Sequence, residues 1–236
     1  MPKFYAEYCQ HPGTGLWIRK NARVYPFLSD PVFTTPLDTV FPGVPGSPSL
    51  NSGRCIGTVI MLNPGNPPPG NPPAGWALVA GYYPANPTST RMVVWDVISE
   101  AIILRLKGKS PDFDPLDYVS ILNLFYVCAP KSGKVISKNK SLPNNPAWRN
   151  YVEVVDLSSR FVWLAWGRIG TKGPGAARAT SLINPALDAV VIWLPHHCRM
   201  NGWPGGASGY PGHPGVQANN QNGMRNYLPA EISGLL

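Results

Sequence analysis

A chain of 236 residues with 44% hydrophobic residues can bury one large core, and its formal charge of +8 (20 Lys and Arg against 12 Asp and Glu) points to an anionic partner. Nucleic acid comes first on that count and an acidic surface second. With 28 Pro and 24 Gly the composition falls just short of low complexity, so many ordered loops are expected rather than disorder. No apolar run is long enough to span a bilayer, and Met1-Pro2-Lys3-Phe4 opens no signal peptide, so no membrane partner is expected. Cys9, Cys55, Cys128 and Cys198 are scattered without a C-x-x-C pair; they read as reduced core thiols of a cytoplasmic protein and argue against a metal or iron–sulfur site.

In chain order, residues 1–50 read as an N-terminal, strand-rich arm packed on the body, and 51–236 as an α/β domain, the whole making a single compact domain. Within the arm, Gly15–Arg19 and Ala22–Tyr25 have strand composition, with Lys20-Asn21 as a hairpin turn between them. Pro31 to Pro48 reads as irregular covering loop. The first buried strand is Cys55–Leu62, too short for a helix and broken abruptly by Asn63-Pro64-Gly65. A long loop, Gly65–Pro87, carries Trp76, Tyr82 and Tyr83, which either pack it onto the body or offer a stacking surface for a planar ligand.

Thr88-Ser89-Thr90 opens a helix that ends near Gly108. Asp112, Asp114 and Asp117, among prolines, read as turn and cap residues rather than a cation site. The second strand is Tyr118–Phe125, and Lys131 to Lys140 follows as a basic loop without apolar period. Pro143–Leu157 is a candidate helix with Asn145 as its cap signal. Phe161–Gly167 is the third strand, a helix runs from Gly173 to about Leu187, and Ala189–Leu194 is the fourth strand. Four continuous apolar strands alternating with helices predict a mainly parallel four-stranded sheet covered on both faces, a three-layer α/β/α domain.

Nucleotide-binding loops are absent: neither G-x-x-x-x-G-K-[ST] nor G-x-G-x-x-G after a strand occurs, and Gly167-Arg168-Ile169-Gly170-Thr171-Lys172 has the wrong spacing; no serine sits in a G-x-S-x-G nucleophile elbow either. What remains are polar residues at or beyond carboxyl strand ends, where open α/β sheets bind ligands: Asn63, Asn123 and His213. Asn63 reads either as turn chemistry or as a chemical residue. Asn123 interrupts an apolar run; its amide either satisfies neighbouring backbone or reads the donor–acceptor edge of a nucleobase. His196 and His197 read equally as packing or cap residues.

Leu62-Asn63-Pro64-Gly65 resembles the first motif of the mismatch-specific branch of the uracil-DNA glycosylase superfamily, Ile121–Phe125 its second-strand segment, Val162–Gly167 its strand ending in Trp-Gly, and Gly212-His213-Pro214 the start of its last motif. The blocks come in family order over roughly residues 55–215. They also look like an uncharacterised bacterial and phage domain family, and like antiviral relatives acting on hypermodified cytosine. The resemblance implies a monofunctional DNA glycosylase without cofactor or metal, working as a monomer on double-stranded DNA with the target base flipped out. Asn63 would orient the water and His213 support the leaving base; Asn123, Phe125, Tyr82, Tyr83 and Trp76 would hold the base. Lys131, Lys134, Lys138, Lys140, Arg168 and Lys172 would contact phosphate.

The proline-rich loop after Asn63, and Gly215-Val216-Gln217 where the family has Ser-Pro, depart from the uracil-removing pattern and point to a bulkier, modified base. The alternatives are a uracil or mismatch repair glycosylase, a non-catalytic nucleic-acid-binding or virus-sensing module, and a hydrolase of free nucleosides.

Overall fold

The computed structural model describes residues 3–26, 53–65, 77–82, 98–105, 107, 112–114, 116–156, 158–166, 173–183, 192–193, 229–230, 232–234 and 236. Its centre is β3, Cys55–Met61, in which all seven residues are buried. Such a strand must be paired along both edges and covered on both faces, and it is. β5 (Tyr118–Asn123) lies parallel on one side and β6 (Val162–Ala165) parallel on the other, followed by β7 (Ile192–Trp193). Alternate residues divide between two apolar clusters. Val59, Met61, Val119, Ile121 and Trp163 join helical residues Ile98, Ala101 and Ile102 in one. Ile60, Leu62, Leu122, Leu124 and Leu164 join Val135, Ala179 and Leu182 in the other. This two-sided burial is why these strands read as continuous apolar runs.

Gly57 marks how tightly β3 is packed. A Cβ there would lie 2.1 Å from the ring of Phe161, itself fully buried. At the amino edge Arg54 holds buried Asp117 through Nε at 3.0 Å and Nη2 at 2.7 Å, and Asp117 also accepts the Asp114 N–H at 2.9 Å. The aspartates of this turn therefore do turn chemistry, as their spacing among prolines suggested.

The protein is mixed α/β, but the sheet is larger than the four strands expected. Among the described residues seven strands run in the order β4-β1-β2-β5-β3-β6-β7, with β1 spanning Lys3–Gln10, β2 Trp17–Tyr25 and β4 Ala77–Tyr82. The parallel half is the predicted set, and the rest is antiparallel. The N-terminal strands thus extend the sheet itself, β2 pairing directly with β5.

Three local expectations are corrected. Lys20-Asn21 is no turn: β2 runs straight through it, and Asn21 takes a φ of 48° where the β1–β2 register shifts between Tyr5 and Glu7. Asparagine tolerates left-handed backbone in a bulge as readily as in a turn. The helix expected over Pro143–Leu157 is absent among its described residues, 143–156. Asn145 caps a local turn by accepting the Ala147 N–H at 3.1 Å, and beyond it Tyr151, Glu153 and Val155 alternate with the exposed Val152 and Val154, the period of extended chain. The basic stretch is not a loop but a 3₁₀ turn, Ser132–Lys134, running into a short helix, Val135–Lys140, seated by buried Val135 and Asn139.

Candidate functional site

The parallel strands have a point where chain order reverses: from β3 the chain crosses to β5 on one side, then returns to β6 on the other. Crevices for ligands form at the carboxyl edge of such a point. β3 delivers Asn63 there. The strand stops because Pro64 has no N–H to contribute and Gly65 turns away at a φ of 79°.

Asn63 is half-buried, and its Nδ2 donates to the carbonyl oxygen of Ala129 at 2.9 Å. No described residue donates to its Oδ1. The amide is therefore held by its nitrogen, with its oxygen left as a spare acceptor, a geometry able to orient a water molecule.

Asn123 pairs with Met61 at the end of β5, and the chain beyond stays bonded to β3: Leu124 N–H donates to Met61 at 2.9 Å and Phe125 N–H to Leu62 at 3.0 Å. This brings Asn123 and Phe125 beside Asn63, as expected, but neither is open to a ligand. Asn123 is 1% exposed. With its amide oriented as its partners require, Nδ2 donates to the Asn63 carbonyl and Oδ1 accepts from Arg19 Nη2, both at 3.3 Å. The buried amide answers the backbone rather than a base edge. Phe125 is likewise 1% exposed and lies beneath the Arg178 guanidinium, 5.1 Å from its ring centre, so it presents no free stacking face.

Arg178, on the helix Pro174–Ile183, was not singled out from the sequence. Its Nη1 donates to the carbonyls of Leu124 at 2.9 Å and Tyr151 at 3.2 Å, and its Nη2 to that of Arg149. Burial pulls its guanidinium below the ordinary arginine value. It ties the segment after β5 to the 149–151 stretch. The available signal was a lone cation in Ala176-Ala177-Arg178-Ala179, where small neighbours let a helix approach closely. Arg19 was missed because a charged residue in a strand ordinarily reads as its solvent face.

The basic segment starts two residues beyond Ala129. Lys131, Lys134 and Lys140 are exposed and Lys138 is half-buried, a placement open to phosphate. Tyr82 lies elsewhere. It pairs with Lys3, which pairs with Tyr25 beside the amino start of β5, so Tyr82 sits on the edge strand at the opposite end of the sheet from Asn63. The expected loop over the site is in that part a strand, because Ala77–Tyr82 completes the outer edge of β1. Trp76, Tyr83, Arg168, Lys172, His196, His197 and His213 lie outside the described residues.

Among the described residues no helix is long and apolar enough to cross a membrane, and no group of three or more His, Cys, Asp or Glu is placed to hold a metal. Cys9, Cys55 and Cys128 are free and buried. No family model, curated protein or solved structure matches the chain.

Proposed function

We propose that the chain is a DNA glycosylase that flips a base from the duplex and hydrolyses its N-glycosidic bond, leaving an abasic site. The substrate class we favour, from the resemblance, is a modified cytosine in phage DNA, with the enzyme acting as a cytoplasmic monomer in antiviral defence. One observation carries the reading: Asn63 stands at the carboxyl edge of the reversal point with its Nδ2 tied to Ala129 and its Oδ1 without a donor among the described residues. The finer architecture proposed is a three-layer, uracil-DNA glycosylase-like domain, supported by helical residues packed against both sheet faces.

In this reaction the C1′–N bond breaks and its electron pair leaves with the base. The sugar becomes oxocarbenium-like, and a water held by Asn63 Oδ1 adds to C1′; its extra proton passes late to solvent water, leaving the C1′ hydroxyl of the abasic site, and the departed base anion is protonated in turn. A carboxamide is no strong base, but orienting water asks only for an acceptor at a fixed place. His213 is the proposed donor to the departing base, a role worth about 3 kcal/mol for a comparable oxyanion donor.

The test offers the folded protein phage DNA with modified cytosines, and duplexes carrying uracil or mismatches, and reads alkali-labile sites and released base by mass spectrometry. Release is expected from the modified DNA, with Asn63→Ala lowering the single-turnover rate about 100-fold while DNA affinity changes little. No released base from any substrate overturns the reading.

A second reading has its own observation. Asn123 and Phe125, the residues expected to receive the base, are committed to internal contacts. That favours a non-catalytic DNA-binding or sensing module, which would keep its full biological effect in Asn63→Ala.

A further inference from the structure

The side chain of Asn63 donates to the Ala129 carbonyl and its own carbonyl accepts from Asn123; β2 bonds Asn123 directly and pairs with the chain up to Cys128, the residue before Ala129. Arg19, 1% exposed, places Nη2 on Asn123 Oδ1 at 3.3 Å. Its own N–H donates to the Tyr126 carbonyl at 3.0 Å, Ile18 bridges Val127, and Cys128 N–H donates to the Trp17 carbonyl at 2.8 Å. The amino half of β2 is therefore an added strand along 126–128, and it ends one residue short of the Ala129 carbonyl that holds Asn63 Nδ2.

From this we propose that the β1–β2 hairpin is a working part of the site, with Arg19 as a positioning residue that fixes Asn63 through Asn123. The inference rests on the reading of Asn63 as the water-orienting residue. Its structural half, control of the Asn63 amide from position 19, stands independently of it.

The physical case is that one carboxamide cannot select its own rotamer in a half-buried turn. Asn123 is satisfied by two partners on opposite sides, the Asn63 carbonyl and the Arg19 guanidinium. Without the guanidinium its oxygen has no other donor among the described residues, and the amide is then free to turn over and release the Asn63 carbonyl. A buried acceptor left unmatched is a strong drive to rearrange. Displacing a reacting group's holder by about 1 Å can cost about 100-fold in rate even when the change lies away from the chemistry.

The experiment compares wild type, Arg19→Met and Arg19→Lys as full-length proteins. The readouts are the ¹⁵N–¹H side-chain amide resonances of Asn63 and Asn123, the thermal midpoint, the DNA Kd, and the single-turnover rate on whichever DNA releases base. In Arg19→Met both asparagine amides should shift, and the rate per folded molecule should fall about tenfold or more with Kd within about twofold. Arg19→Lys should restore part of both, because an ammonium can still donate to Asn123.

An Asn63 amide that stays at its wild-type position in Arg19→Met overturns the inference. So does a rate that falls only with the folded fraction. Should Arg19→Met not fold, Arg19→Lys decides alone: wild-type Asn63 resonances and rate in it, despite a displaced Asn123 amide, overturn the inference. Should wild type release no base, the glycosylase reading falls, and the resonances still decide the positioning claim.

Discussion

Glu153 is held against its preferred charge state. Burial pushes its carboxyl from 4.5 up to about 7, against the opposing pull of the Asn21 N–H, Tyr126, Arg19 and Arg23. A folded pKa above the unfolded one means that the native state binds the extra proton, so this contribution is fully present below about pH 4.5. It declines as pH rises and is lost above about 7. Each pH unit within that window costs at most about 1.4 kcal/mol. Glu153→Gln keeps an acceptor for the Asn21 N–H and cannot ionise. In urea melts across pH 4–8 the variant should match wild type at the acid end and exceed it at the alkaline end. A variant weaker than wild type at every pH would mean that the carboxylate is ionised and paired with its arginine neighbours. Asn123 carries the same lesson at one position: its polarity inside an apolar run was legible, but its partners were not. Arg19 comes from a strand about a hundred residues earlier in the chain, and only tertiary pairing brings the two together.

At the scale of elements, β3 and the basic segment make opposite kinds of claim. Gly57→Ala in β3 would push a methyl against the buried ring of Phe161, with 2.1 Å available. Neither group has anywhere to go, so the substitution should destabilise by about 1–3 kcal/mol or more, measured by denaturant unfolding. Shortening the ring with Phe161→Leu in the same chain should recover part of that loss. The segment Ser132–Lys140 concerns binding instead. Lys131 and Lys134 are exposed beside the residue that holds Asn63, so replacing both with Ala should weaken binding to every DNA sequence alike. The slope of log affinity against log salt should fall by roughly two units; an unchanged slope makes these lysines a solvated surface only. The four apolar strands were legible because burial on both faces removes any alternation to misread. β4 was not, since Ala77–Tyr82 is one short run in a stretch rich in proline and glycine, and its strand character comes from pairing with β1.

For the molecule as a whole, the layered sheet sets an order of stability. β3 is flanked on both edges and buried on both faces, whereas β4 and β7 end the sheet among the described residues. Amide exchange in β3 should therefore occur only through global unfolding, with edge-strand amides exchanging through smaller openings. Native-state exchange over a denaturant series measures this, and β3 amides exchanging at the rate of β4 would contradict the layered core. By itself the sequence determined the parallel strands, the turn that ends β3 at Asn63, and the excess of positive charge. These are legible because continuous burial, proline and glycine act on the residues that carry them. Only the tertiary structure decided that the N-terminal strands join the sheet, that Asn21 bends a strand rather than turning it, and that Asn123 and Phe125 are spoken for by Arg19 and Arg178. Each of those outcomes is settled by a partner distant in sequence, and a local pattern carries no record of which partner will arrive.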